Sequence, residues 1–328
     1  MSRTMRLKKA LLYALKIALG SSMAIYTANL LQLQYASAAG IVTLLTLATT
    51  RKGTLKLSVT RLITFVLVML VTSVTFLPIQ SDWIAYGLFV FLVALICDLL
   101  GWQATISTNA VIGTHFLMTQ DFSPQFFFNE FLLVTIGITF ATILNQFHDI
   151  QSQKKDFAQS IQWVESQMQS LLTAVADYLS QASTRDVWAD VVALEAKLQE
   201  LMADAYEYEG NTYDQDASYY ARYFAMRLDQ CHILHNLHYE MQKIKNVPDQ
   251  AKVVVEYIRY LNQYVTELND PIPQLKFLEE IFQRMKQEPL PVSREEFENR
   301  AVLYHILMDL EEFLIFKKRF VYKEGLAA

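Results

Sequence analysis

Through the first 150 positions apolar residues run with few interruptions; from about Gln151 they recur only every three or four. A run of about 20 apolar residues is long enough to cross the roughly 30 Å hydrocarbon core of a bilayer. Read by length, the first regime holds six such runs. The first extends to Leu33, and the others are Ala36–Thr50, Leu57–Ile79, Trp83–Leu100, Ala104–Thr119 and Phe126–Phe147. The opening MSRTMRLKKALLYALKIALG imitates a signal peptide, but Lys16 interrupts the apolar core and the run continues well beyond it. That length predicts an uncleaved first span, with the Lys16 stem snorkelling toward the basic end. Two runs are unusual. Ala36–Thr50 is short, and Ala104–Thr119 carries Thr105, Ser107, Thr108, Asn109 and His115.

The second regime predicts a helical bundle with its own core. Ile161, Val164, Met168, Leu171, Val175 and Tyr178 alternate at spacings of three and four, a heptad-like seam. Trp188, Val191, Leu194, Leu198 and Leu201 form a second stripe, which Glu209-Gly210-Asn211 is expected to break. A third helix is expected from about Ala217 to Lys245, and a fourth from Pro248 through Leu268. Pro271 and Pro273 open a fifth. The SREE of Ser293–Glu296 reads as a capping box opening a sixth, with Phe297, Ala301, Tyr304, Leu307 and Leu314 inward. No strand-like alternation of any length occurs, so the fold class is all-α: a six-helix transmembrane bundle over residues 1–150, then an antiparallel helical bundle over 151–328.

Charge orients this arrangement. Residues 1–150 hold nine Lys/Arg against five Asp/Glu, near +4, and the remainder is near −9. From Leu62 to Gln153 there is no Lys or Arg at all. Basic residues mark cytoplasmic loops, and they cluster before the first run, again at Arg51, Lys52, Lys56 and Arg61, and from Lys154 onward. Six crossings then place both termini in the cytosol of a cell whose plasma membrane holds the protein. An acidic tail without a basic face argues against nucleic acid as a partner. Cys97 and Cys231, each in an apolar pattern, read as small buried hydrophobes.

Candidate chemistry lies in the membrane. No phosphate loop, dinucleotide fingerprint, zinc-protease motif or nucleophile elbow occurs, so nothing calls for a cofactor or an enzymatic activity. Cys231, His235 and His238 share one helical face at a spacing that suits zinc, but the apolar stripe of the same helix accounts for the pattern, and they are assigned to packing rather than to metal. Polar groups inside a span are read as functional by default. Asp98 closes the fourth run, Asn109 and His115 lie in the fifth, and Asn129 and Glu130 open the sixth. His115 is seven residues before Phe122 and Glu130 eight after it, so at 1.5 Å per residue the two meet at similar depth. They can share a proton there, or serve only as an interhelical hydrogen bond. Arg51, Lys52, Lys56 and Arg61 set topology and, in a functional reading, gather organic anions at the inner mouth.

Three stretches together resemble the aromatic acid exporter family, relatives of the fusaric acid resistance proteins. YASAAGIVTLLTLATTRKGTLKLSVTRL (35–62) looks like its second span and basic loop, and LLGWQATISTNAVIGTHFL (99–117) like its fifth-span region. NEFLLVTIGITFATILNQF (129–147) matches its sixth-span pattern of Asn-Glu followed by Gly137, Ala141 and Asn145, although the exit NQFHD is more polar than expected. The tail is similar to the C-terminal domain that accompanies these spans in Gram-positive bacteria. The resemblance implies efflux of aromatic carboxylates such as hydroxybenzoates, driven by the proton gradient, from a protein that six spans make a plausible homodimer. The competing reading is a membrane-anchored interaction or sensory protein whose tail binds a cytosolic partner.

Overall fold

The computed structural model describes residues 3–47, 50–146, 150–182, 187–214, 216–244, 247–248 and 250–326. They form an all-α protein of twelve helices, with no strand among the described residues. Packing divides the chain into two compact units, residues 1–149 with 210–212, and residues 150–209 with 213–328. The last residues of the polar exit, 147–149, lie outside the described residues.

The first unit holds α1 (Arg3–Leu30), α2 (Ser37–Thr46), α3 (Arg51–Phe76), α4 (Asp82–Leu99), a 3₁₀ turn at Gln103–Thr105, α5 (Ile106–Thr119) and α6 (Pro124–Leu144). Four of these carry segments long and apolar enough to cross a bilayer: Ala10–Leu30, Arg51–Phe76, Asp82–Leu99 and Pro124–Leu144. Their outward faces expose Leu11, Val66, Leu70, Val74 and Phe91, the kind of apolar belt that a soluble monomer does not keep. The sequence also counted α2 and α5 as spans. These are only 10 and 14 residues long, about 15 and 21 Å of helix.

Local chemistry sets these boundaries. α1 ends in a Schellman motif in which Gln32, at φ 52°, takes the left-handed position, and Leu33 N donates to Ala28 O at 3.1 Å. Thr50 caps α3 by accepting from Gly53 N, and Ser123 caps α6 by accepting from Phe126 N, with Pro124 behind it. α2 packs between α1 and α6 because the contact surfaces are made of small residues. Gly20, Ala24 and Ala28 repeat every fourth position on α1, and Gly137 and Ala141 do so on α6. A Cβ on Gly137 would fall 2.6 Å from Val42 Cβ and 2.7 Å from Ala39 O.

The second unit contains α7 (Ile150–Leu179), α8 (Trp188–Asn211), α9 (Tyr219–Gln242), α10 (Ala251–Asn262), α11 (Ile272–Lys286) and α12 (Arg294–Glu324). The α7 seam is buried from Ile161 to Val175, with Tyr178 packed at its edge, and Val191, Leu194, Leu198 and Leu201 of α8 enter the same core. Three boundaries differ from the sequence expectation. α8 continues through Glu209 and Gly210, α10 begins after Pro248 and stops at Asn262, and the face of α12 is rotated. Of the positions expected inward, Phe297, Ala301 and Tyr304 are exposed, while Leu307 and Leu314 are inside together with Leu303, Ile306, Leu310 and Phe313. Ser293 does cap α12, accepting from Glu296 N at 3.1 Å, but the Glu296 carboxylate reaches back to Val292 N.

Candidate functional site

A buried acid–imidazole pair forms where α5 and α6 turn. α5 places His115 on its inner face with Ile112 and Phe116, and the second turn of α6 places Glu130 inward with Phe126 and Val134. Glu130 is fully buried and His115 nearly so, and His115 Nδ1 lies 2.8 Å from Glu130 Oε2. Glu130 Oε1 accepts from Asn129 Nδ2 at 3.2 Å. Asn129 also holds the backbone of Gln34 in both directions, its Oδ1 accepting from Gln34 N at 2.9 Å and its Nδ2 donating to Gln34 O at 3.1 Å. The next residue, Tyr35, stacks flat on His115 with ring centroids 4.2 Å apart and an angle of 7°. Tyr35 sits at φ 58°, a left-handed conformation that costs a non-glycine residue about 1–2 kcal/mol. The chain accepts that strain to lay an aromatic plate on the imidazole. As a carboxylate Glu130 accepts from both neighbours, and as a carboxylic acid it donates to His115. The 2.8 Å contact is short enough for a hydrogen bond in either sense.

A second polar node closes the other end of α6. Asn145 is buried, its Nδ2 donating to Thr50 O at 2.8 Å and to Thr54 Oγ1 at 2.7 Å, and its Oδ1 accepting from Lys16 Nζ at 2.8 Å. The two asparagines of α6 therefore secure the non-helical backbone on both sides of α2, at Gln34 and at Thr50. Irregular backbone at membrane depth survives only where protein satisfies it, and α6 supplies those bonds.

The remaining candidates disperse. Asn109 is buried apart from the pair, its Nδ2 3.5 Å from Thr105 Oγ1, beside Cys97. Asp98 is exposed and accepts from Gln103 Nε2 at 2.9 Å. Arg51 opens α3 and donates to Gln146 O, while Lys52 and Lys56 are exposed. Arg61 leaves this surface group altogether. It is 2% exposed, and its Nη2 donates to Leu45 O at 2.8 Å and to Ala104 O at 3.2 Å. Ten residues separate it from Arg51, so the alternation of a helix turned it inward while its neighbours stayed outside. In the second unit the Cys231 thiol faces Val191 O at 3.8 Å and burial pushes it up to about 12, and His235 packs edge-on to Trp188. Among the described residues no group of three or more His, Cys, Asp or Glu is arranged to hold a metal ion.

Apolar helices with an exposed apolar belt, and polar pairs buried between them, define a multi-pass membrane protein. Residues 9–148 match the family model described as "Aromatic acid exporter family member 1", and residues 154–318 match the one described as "Putative aromatic acid exporter C-terminal domain". The chain belongs to the aromatic acid exporter family. It is 28% identical over 306 residues to "Uncharacterized protein YqjA" of Bacillus subtilis (strain 168), covering 93% of this chain and 94% of that protein. A crystal structure described as a "putative membrane protein" from Clostridium difficile 630 matches at 24% identity and a TM-score of 0.46, over 51% of this chain and 97% of the other.

Proposed function

We propose that this membrane transporter exports aromatic carboxylic acids and that protons entering through the His115–Glu130 pair drive the export. The observation that carries the reading is the pair itself. A fully buried carboxylate in an apolar bundle is costly. Here it is supported by an imidazole at 2.8 Å, an asparagine at 3.2 Å and a strained tyrosine. An inert anchor has no use for such a site. In this reading α2 with its irregular flanks, and α5 with its 3₁₀ turn, complete six crossings, and the basic residues around Arg51 face the cytosol with both termini.

The test is accumulation of labelled 4-hydroxybenzoate in cells with and without the gene. Loss of the gene is expected to raise accumulation severalfold, and an uncoupler that collapses the proton gradient is expected to erase the difference. Equal accumulation in both strains contradicts the proposal.

A further inference from the structure

Arg61 carries a positive charge deep in the bundle, and among the described residues no carboxylate pairs with it. It lies ten residues into α3, about 15 Å from the start of that helix. Its guanidinium is charged at neutral pH. Its Nη2 is used up by the carbonyls of Leu45 and Ala104, while Nε and Nη1 are buried and have no partner. Backbone dipoles offset part of a guanidinium charge, but arginine is the residue that recognises carboxylate and phosphate, and a cation inside a membrane protein pairs with an anion or marks the path of one.

A second unused donor belongs to the same region. Thr108 Oγ1 is buried without a partner. Thr108 lies four residues beyond Ala104, whose carbonyl Arg61 already holds, and the 3₁₀ turn at Gln103–Thr105 runs directly into α5, so the two are about one turn apart along the chain. α3 and α5 thus each present a buried group with no partner among the described residues, and Arg61 does so beside Leu45, near the C-terminal end of α2. Unmet donors of this kind are expensive in an apolar interior unless something else meets them.

We propose that Arg61 and Thr108 receive the carboxylate of the transported acid, next to the end of α2. This assignment rests on the export reading and gives it a binding group. It also separates Arg61 from Arg51, Lys52 and Lys56, which act from the surface. A pure capping role, in which Arg61 only ties Leu45 to Ala104, makes a different prediction, because capping does not discriminate between a carboxylate and a neutral analogue.

The experiment is calorimetric binding to the purified full-length protein in detergent, comparing 4-hydroxybenzoate with its neutral counterpart 4-hydroxybenzamide. The wild type is expected to prefer the acid. Arg61→Gln removes the charge and keeps a donor, and should bring acid and amide affinities close together. Thr108→Val keeps shape and leaves both Arg61 carbonyl bonds in place, and should weaken acid binding about tenfold without changing amide binding. If both variants keep the wild-type preference, with or without a lower melting temperature, this assignment fails and the export reading stands. Displacement of the acid by equimolar chloride also overturns it, because the site would then hold an inorganic anion. A wild type that binds neither compound, with no effect of the gene on accumulation in cells, overturns both.

Discussion

At the scale of residues, the proposed export turns on single side chains placed where they are costly. His115 Nδ1 and Glu130 Oε2 lie 2.8 Å apart in a buried setting, so in the export reading they act together on one proton. His115→Gln, which keeps a hydrogen bond to Glu130 but has no ring to carry a proton, should change the pH dependence of hydroxybenzoate flux. An unchanged pH dependence would mean that the imidazole takes no part in coupling. Another buried charge lies in the second unit. Lys317 is 4% exposed, donates to Glu267 O, and has its ammonium 5.4 Å from the Phe320 ring. Burial, reinforced by the nearby Arg227 guanidinium, pulls its pKa down to about 7. In the unfolded chain it titrates near 10.5, so between about pH 7 and 10 the unfolded state binds the extra proton and stability rises with pH, by up to about 1.4 kcal/mol per unit. Lys317→Met should thus be more stable than the wild type at pH 7 by a few kcal/mol, and thermal melts should show that gap shrinking toward pH 9. A gap independent of pH would mean that the lysine stays charged and solvated in the folded protein, its pKa not lowered.

At the scale of elements, α2 is the piece whose form least resembles a span, and small residues decide its fit. Gly137→Val puts branched carbons where Val42 and the Ala39 carbonyl already lie, and size-exclusion profiles should show loss of folded protein. Gly87→Ala, with nothing within 4 Å of its Cβ, should elute as wild type. Much of this level was legible in the sequence. The α7 and α8 seams followed the three-and-four spacing, and counting residues from the turn at Phe122 brought His115 and Glu130 to one depth. What escaped has physical causes. Run length cannot show that a 15-residue apolar stretch contains only ten residues of helix, because asparagines from a distant helix satisfy its flanks. Arg61 was grouped with Arg51, Lys52 and Lys56 by proximity in sequence, although helical rotation separates them. Tyr35 gave no signal, since a stack on His115 needs a left-handed backbone that no local motif announces. On α12, Phe297 and Tyr304 were expected inside because they are aromatic, but the buried stripe there runs through Leu303, Ile306, Leu310 and Phe313.

At the scale of the whole molecule, the proposed export joins six crossings, an inward flow of protons and an outward flow of aromatic anion. The orientation read from the basic residues can be tested by labelling. Cysteines placed at Ser81 and Ser123 should react with an impermeant maleimide added outside intact cells, while one at Gly53 should react only after permeabilisation. Reversed labelling would turn the membrane unit over, and the basic residues at the start of α3 could not then gather anions from the cytosol. Coupling itself is tested most directly in proteoliposomes with an imposed pH gradient. The account predicts that the gradient accelerates hydroxybenzoate flux through the wild type. Glu130→Gln, which keeps shape and hydrogen bonding but cannot ionise, should leave a folded protein whose flux ignores the gradient. A Glu130→Gln protein that responds to the gradient as the wild type does would contradict the account, and would reduce Glu130 to a bond that holds two helices together.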